Sequence, residues 1–183
     1  MKSLRYALLI ASGVIACAAG SASAQLKATV TGVPEIAYTS VPNFLKVPAG
    51  EYLGESVAVA TNSKGYIYVY HRSAPTTKLW EFDANGNFRR EIGKGYYGFE
   101  FAYSVRVDKD DNIWTVDEGT NMVTKFSPQG KVLMVLGRRD PPIGFAAATR
   151  TGPNLPDQKY IFCRPTDVGW DPQGNIFVSD GYC

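Results

Sequence analysis

From about residue 55 onward, apolar and polar positions alternate over runs of five to seven residues. Gly, Asn and Asp interrupt the runs at regular intervals, and no stretch keeps a 3.6-residue period. Such a pattern predicts short β-strands joined by tight turns. Three segments superimpose: VAVATNSKGYIYVYHR (57–72), VRVDKDDNIWTVDE (105–118) and VGWDPQGNIFVSDG (168–181). Each reads as a strand, a polar turn and a second strand.

The first two copies continue alike, as KLWEFDANGNFRREIG (78–93) and VTKFSPQGKVLMVLG (123–137). Phe82 pairs with Phe126, Gly86 with Gly130 and Gly93 with Gly137 at a constant offset of 44, whereas Ile67 and Ile113 lie 46 apart. Asn85-Gly86 and Gln129-Gly130 are the hairpin turns joining a third strand to a fourth. Four short strands per repeat of about 40–50 residues is the signature of a β-propeller blade. The form of the repeat, an apolar triplet, then Asp-x-x-Gly/Asp-Asn-Ile, then an aromatic strand ending in Asp, resembles the NHL type. The fold class expected is therefore all-β, an NHL-type propeller. Blades fall near 51–97, 98–140 and 160–183, a long Pro- and Gly-rich loop occupies 138–160, and residues 26–50 are a source for an outer strand. Six such blades need roughly 250 residues or more. The 159 residues after position 24 hold about two and a half, so the chain reads as an N-terminal fragment.

Residues 1–24 carry Lys2 and Arg5, an apolar run from Ala7 to Ala19 and the small-residue end Ala22-Ser23-Ala24. This is the layout of a secretory signal peptide, too short to be a comfortable transmembrane helix, and it predicts export to the periplasm or beyond. Val14-Ile15-Ala16-Cys17 offers the alternative of a lipoprotein anchored at Cys17. Removal of the leader leaves 17 basic and 17 acidic side chains. That balance gives no footprint for nucleic acid or anionic lipid.

The repeat register sets His71-Arg72, Asp117-Glu118 and Asp180-Gly181 at equivalent positions. It groups them with Tyr103, Cys163 and Tyr182 at one end of the hairpins, beside the central funnel where propellers bind small ligands. Cys163 and Cys183 each lie ten residues from Gln173. In an oxidising compartment they read as a disulfide, with two buried free thiols as the alternative. Asp108, Asp111, Asp117 and Asp171 read as turn residues bonding local backbone. Trp80, Trp114 and Trp170 read as blade packing, and His71 as structural.

FCRPTDVGWDPQGNIFVSDGYC (162–183) closely resembles a hairpin of the peptidyl-α-hydroxyglycine α-amidating lyases, six-bladed propellers, including both cysteines and the Tyr before the second. Residues 105–138 and 57–72 are similar to the two preceding blades. The resemblance implies cleavage of a peptidyl-α-hydroxyglycine to a peptide amide and glyoxylate, with Tyr182 as base and Arg72 beside it. It implies zinc on the propeller axis and admits a structural calcium in the full-length protein, with neither assured by these residues. Where the family has a zinc-binding His, this chain has Tyr103. The partner expected is a small peptide or other small molecule in the funnel. A non-catalytic exported propeller holding a peptide, sugar or partner protein is the alternative. For the chain as given, without most of the axis, no activity is expected.

Overall fold

The computed structural model describes residues 32, 36–139 and 161–181. The strands described all lie in one compact unit that begins at Ser40. The leader 1–24 with Cys17, most of the 138–160 loop, Tyr182 and Cys183 lie outside the described residues. Among the described residues no helix is long and apolar enough to cross a membrane.

Among the described residues, ten strands build three antiparallel sheets. The first is β1 (Glu55–Thr61), β2 (Ile67–Ser73), β3 (Thr76–Phe82) and β4 (Phe88–Ile92), in chain order. The second repeats it with β5 (Ala102–Val107), β6 (Ile113–Asp117), β7 (Met122–Phe126) and β8 (Val132–Gly137). The third pairs β9 (Pro165–Trp170) with β10 (Ile176–Asp180). Four-stranded meanders stacked face to face are propeller architecture. The chain is all-β and holds an incomplete set of blades.

Turn chemistry fixes the register. Five hairpins share one device, headed by Asn62, Asp83, Asp108, Ser127 and Asp171. In each, the head residue's side-chain oxygen accepts the N–H four residues on, and its backbone N–H donates to that same residue's carbonyl. The fourth position is left-handed in every copy. Gly65, Gly86, Gly130 and Gly174 hold it with φ of 75–88°, and Asp111 holds it at 61°. Glycine takes that conformation without steric cost, so a non-glycine there asks for a reason. Asp111 has one: its carboxylate accepts the Ser63 N–H at 2.8 Å and the Ser63 hydroxyl at 2.6 Å. It therefore ties the second blade's turn to the first blade's, where the sequence reading has it bonding local backbone.

Alternation along each strand sorts side chains onto two packed faces. Tyr68, Tyr70, Leu79 and Ile92 of the first sheet meet Ala102, Val105, Ile113 and Phe126 of the second. Trp114, Val116 and Val123 on the far face of the second sheet pack against Val168, with Trp170 at 5.2 Å from Trp114 between ring centroids. The other face of the first sheet carries Val69, Trp80 and Phe82. Burying each such side chain contributes about 1.5–3 kcal/mol. This face is covered by Leu53 and by Leu45 and Val47, the last two from the 26–50 segment that the sequence offers as an outer strand. The segment is instead a strap with a single parallel bridge, Lys46 to Asn87. Pro48 and the positive-φ Gly50 prevent a continuous ladder, and a turn closes from Glu51 N–H to Pro48 O.

Candidate functional site

The site expected from the repeat lies where each blade's second strand ends beside the start of its first. Register pairs His71 with Ser56, Asp117 with Ala102 and Asp180 with Pro165, each pair lying next to its blade's shift in register. His71, Asp117 and Asp180 are therefore structural equivalents, and each holds the chain entering its own blade. Asp180 accepts the Cys163 N–H on both oxygens, at 2.8 and 2.9 Å. Asp117, 1% exposed, does more. One oxygen accepts the Glu100 and Phe101 N–H groups and the Tyr70 hydroxyl, each at 2.9 Å; the other accepts the Thr120 N–H and hydroxyl. Its role is thus longer in range than the local turn bonding read from sequence, whereas Asp108 and Asp171 do bond their own turns.

The first blade solves the same problem with a relay. His71 has no carboxylate to offer, so its Nδ1 shares a hydrogen bond with the Ser73 hydroxyl at 2.9 Å. That hydroxyl takes the Gly54 N–H and donates to the Tyr52 carbonyl. A Cβ on Gly54 would fall on the Arg72 carbonyl, so only glycine fits the approach. His71 is fully buried, edge-on to Trp80 at 4.4 Å between centroids, and its Nε2 has no hydrogen-bond partner among the described residues. Burial, reinforced by Lys78, lowers its pKa to about 4, with Glu51 opposing. It is a neutral core residue.

Arg72 sits at this end, with its guanidinium 3.5 Å from the Phe101 ring centroid. Nε and Nη2 both donate to the Ala102 carbonyl, at 3.0 and 2.9 Å, and Nη1 reaches Glu55 at 3.0 Å. The second blade's entry, pinned by Asp117, is therefore the seat on which Arg72 rests. Glu55 is 73% exposed, so the Nη1 pairing is an exchangeable one. Tyr182 and Cys183, the other residues singled out with Arg72 and Cys163, lie outside the described residues.

Tyr103 occupies a β-bulge. Ala102 pairs with Asp117 and Ser104 with Val116, leaving Tyr103 as the extra residue. The same irregularity leaves Val57 extra in the first blade and Thr166 in the third. Bulges re-aim side chains and recur beside active sites. Here the three bulge residues are Val, Tyr and Thr, none a good zinc ligand. Among the described residues no group of three or more His, Cys, Asp or Glu side chains is placed to hold a metal. The residues described do not fit a zinc site.

A further contact escapes sequence reasoning. Asp167 accepts the Ser104 hydroxyl and two Arg106 N–H groups, at 2.9, 2.9 and 2.5 Å. Arg106, with help from Ser104 and against burial, holds the Asp167 carboxyl below its ordinary range. Both sit mid-strand, where the first blade has the alanines Ala60 and Ala58. Charged residues facing alanine positions in the repeat were the available signal.

No family model matches the chain. It is 26% identical over 151 residues to a probable peptidyl-α-hydroxyglycine α-amidating lyase of Caenorhabditis elegans, covering 72% of this chain and 39% of that one. With a peptidyl-glycine α-amidating monooxygenase of Xenopus laevis it is 37% identical over 154 residues, covering 72% and 15%. Among solved structures, a streptogramin B lyase superposes with a TM-score of 0.49 at 14% identity, over 72% of this chain and 36% of that one. The chain thus spans well under half the length of these curated relatives. Over most of its own length, it is a sequence relative of the peptidyl-α-hydroxyglycine α-amidating lyases and of monooxygenases named for the same amidation.

Proposed function

We propose that the protein acts as an exported lyase of the α-amidating type, converting a peptidyl-α-hydroxyglycine to a peptide amide and glyoxylate. A base takes the hydroxyl proton, the carbinol C–N bond breaks as the C=O of glyoxylate forms, and the amide nitrogen receives a proton. The observation that carries the reading is the seat of Arg72, in a chain related to such lyases. Its Nη1 edge pairs with an exposed carboxylate, Glu55, which a substrate carboxylate would displace. A planar fork held by stacking and two carbonyl bonds is a fixed anchor for such a group.

Tyr182 is the proposed base. It follows Gly181, the repeat equivalent of Glu118 and Arg72. An ordinary tyrosine titrates near 10, so a neighbouring cation must favour its phenolate near neutrality. A Cys163–Cys183 disulfide is proposed to hold it, and the Asp180 grip on Cys163 N–H supports that pairing by bringing the two chain ends of the hairpin together. Zinc or calcium in the complete protein, export through the 1–24 leader, and inactivity of the 183-residue chain by itself belong to the same proposal. The identities of the bulge residues favour a second reading: a non-catalytic exported propeller that holds a peptide, sugar or protein at this end.

The test is glyoxylate release from an α-hydroxyglycine peptide by the 183-residue chain and by the full gene product. The full product is expected to release glyoxylate and the shorter chain none. Arg72→Lys is expected to lower kcat/KM by about tenfold or more, since a point charge replaces the fork. Tyr182→Phe is expected to lower kcat by about a hundredfold or more with KM little changed. Peptide binding without glyoxylate release would establish the second reading instead.

A further inference from the structure

At the opposite end of the first two blades, where the hairpins turn, lies a cleft of about 300 Å³. Its walls come from the Asn62–Tyr66 turn, the Asp111 turn and the β7–β8 turn at Pro128-Gln129, with Tyr68, Glu81 and Arg89 at its base. Its acceptors are already used. Glu81, 1% exposed, receives Arg89 Nε at 2.7 Å and Arg90 Nε and Nη2 at 3.1 and 2.7 Å. Asp111 is held by Ser63, and the Asn62 oxygen accepts the Lys64 and Tyr66 N–H groups. Arg90 is satisfied as well, its remaining edges reaching the Gln129 and Pro128 carbonyls.

Three donors are not used. Tyr68 is 1% exposed, and its hydroxyl accepts the Asn62 Nδ2–H at 3.1 Å, but its own proton finds no acceptor among the described residues. Burial, then the field of Glu81, pushes its pKa up to about 12, so the phenol remains a donor. Arg89 lies 4.2 Å over the Tyr66 ring with Nε on Glu81, and its two Nη groups have no acceptor among the described residues. The Lys64 ammonium forms no ion pair there. A buried donor without a partner is costly, and one lining a cleft is satisfied by what enters it.

We propose that this cleft is a binding site for a small monocarboxylate, held by the Tyr68 hydroxyl, the Nη edge of Arg89 and Lys64. Lys64, Arg89 and Arg90 against Glu81 and Asp111 leave one net positive charge, which a single carboxylate neutralises and a doubly charged phosphate overshoots. The planar Nη edge also matches a carboxylate. The site is independent of Arg72 and of the lyase reading, because different turns build it at the other end of the blades.

Acetate titrated into the 15N-labelled 183-residue chain at constant ionic strength is the test. Backbone signals of 62–66 and the Arg89 Nε–H signal are expected to shift saturably with one dissociation constant, and phosphate is expected to bind more weakly. Tyr68→Phe should weaken acetate about tenfold, as for a lost hydrogen bond to a charged group. Lys64→Gln should weaken it about threefold and Lys64→Arg restore it, while Lys94→Gln, at an exposed lysine outside the cleft lining, changes nothing. Lys64 is on the surface, so its two variants decide the matter even if Tyr68→Phe does not fold. Shifts that fail to saturate, equal affinities in all variants, or tighter binding of phosphate would each overturn the proposal.

Discussion

Replacing Asp117 with Asn is the sharpest probe of how the fold positions Arg72. The side chain keeps its size and place, and the oxygen facing Thr120 is retained. The other oxygen becomes an NH₂ group that faces the Glu100 and Phe101 N–H groups, donor against donor, and the Tyr70 hydroxyl. Tyr70 is fully buried, but its hydroxyl rotates to accept from the new NH₂. The two backbone donors lose a charged acceptor, worth about 1.5–3 kcal/mol each when buried. Residues 100 and 101 are exposed, so water recovers part of that. The expected loss is about 2–4 kcal/mol in urea unfolding followed by tryptophan fluorescence, with Asp117→Ala losing more. A double-mutant cycle with Tyr70→Phe should show coupling of about 1–2 kcal/mol. Because Phe101 and the Ala102 carbonyl seat the Arg72 guanidinium, the Arg72 Nε–H signal should also move. A loss below about 1 kcal/mol with strict additivity would refute the view that one carboxylate fastens both the blade entry and the arginine seat.

Two further perturbations isolate single contacts. Gly86→Ala and Gly174→Ala strain nearly the same φ, 81° and 86°, but a Cβ at 86 collides with the Phe44 carbonyl and one at 174 meets nothing within 4 Å. Both should cost about 1 kcal/mol of backbone strain, and only Gly86→Ala should go further and open residues 44–53 to limited proteolysis; equal behaviour would deny the strap its role. His71 gives a pH signature. Its pKa is near 4 folded and about 6.5 unfolded, so the unfolded state binds the proton first and stability falls as pH drops from 6.5 toward 4, by up to about 3 kcal/mol. His71→Gln should flatten that window in pH-dependent thermal melts, and an unchanged slope would mean that the ring is not held neutral.

The repeat was legible because it is written in local chemistry. An Asp, Asn or Ser head and a left-handed residue three positions later, glycine in four turns of the five, specify the turns, and period-two alternation specifies the strands, so the three hairpins follow from spacing, though the bulges at Val57, Tyr103 and Thr166 do not. The strap was not legible, since Leu45, Val47 and Leu53 look like strand residues until Pro48 and Gly50 are weighed against the absence of a partner ladder. Asp111 and Asp117 were misread for a related reason. A carboxylate in a turn bonds its own backbone by default, and only the stacking of blades brings Ser63 to Asp111 and Tyr70 to Asp117, 48 and 47 residues away. Yet the clue was present. Asp111 stands where four other turns have glycine, and the strained conformation it accepts is explained only by a contact outside its own blade. The same logic reaches His71, which stands where the other two blades have a carboxylate. A blade lacking its Asp must pin its entry by other means, and Ser73 two residues on supplies them. Departures from the repeat, more than the repeat itself, therefore mark where blades are joined and where Arg72 is held.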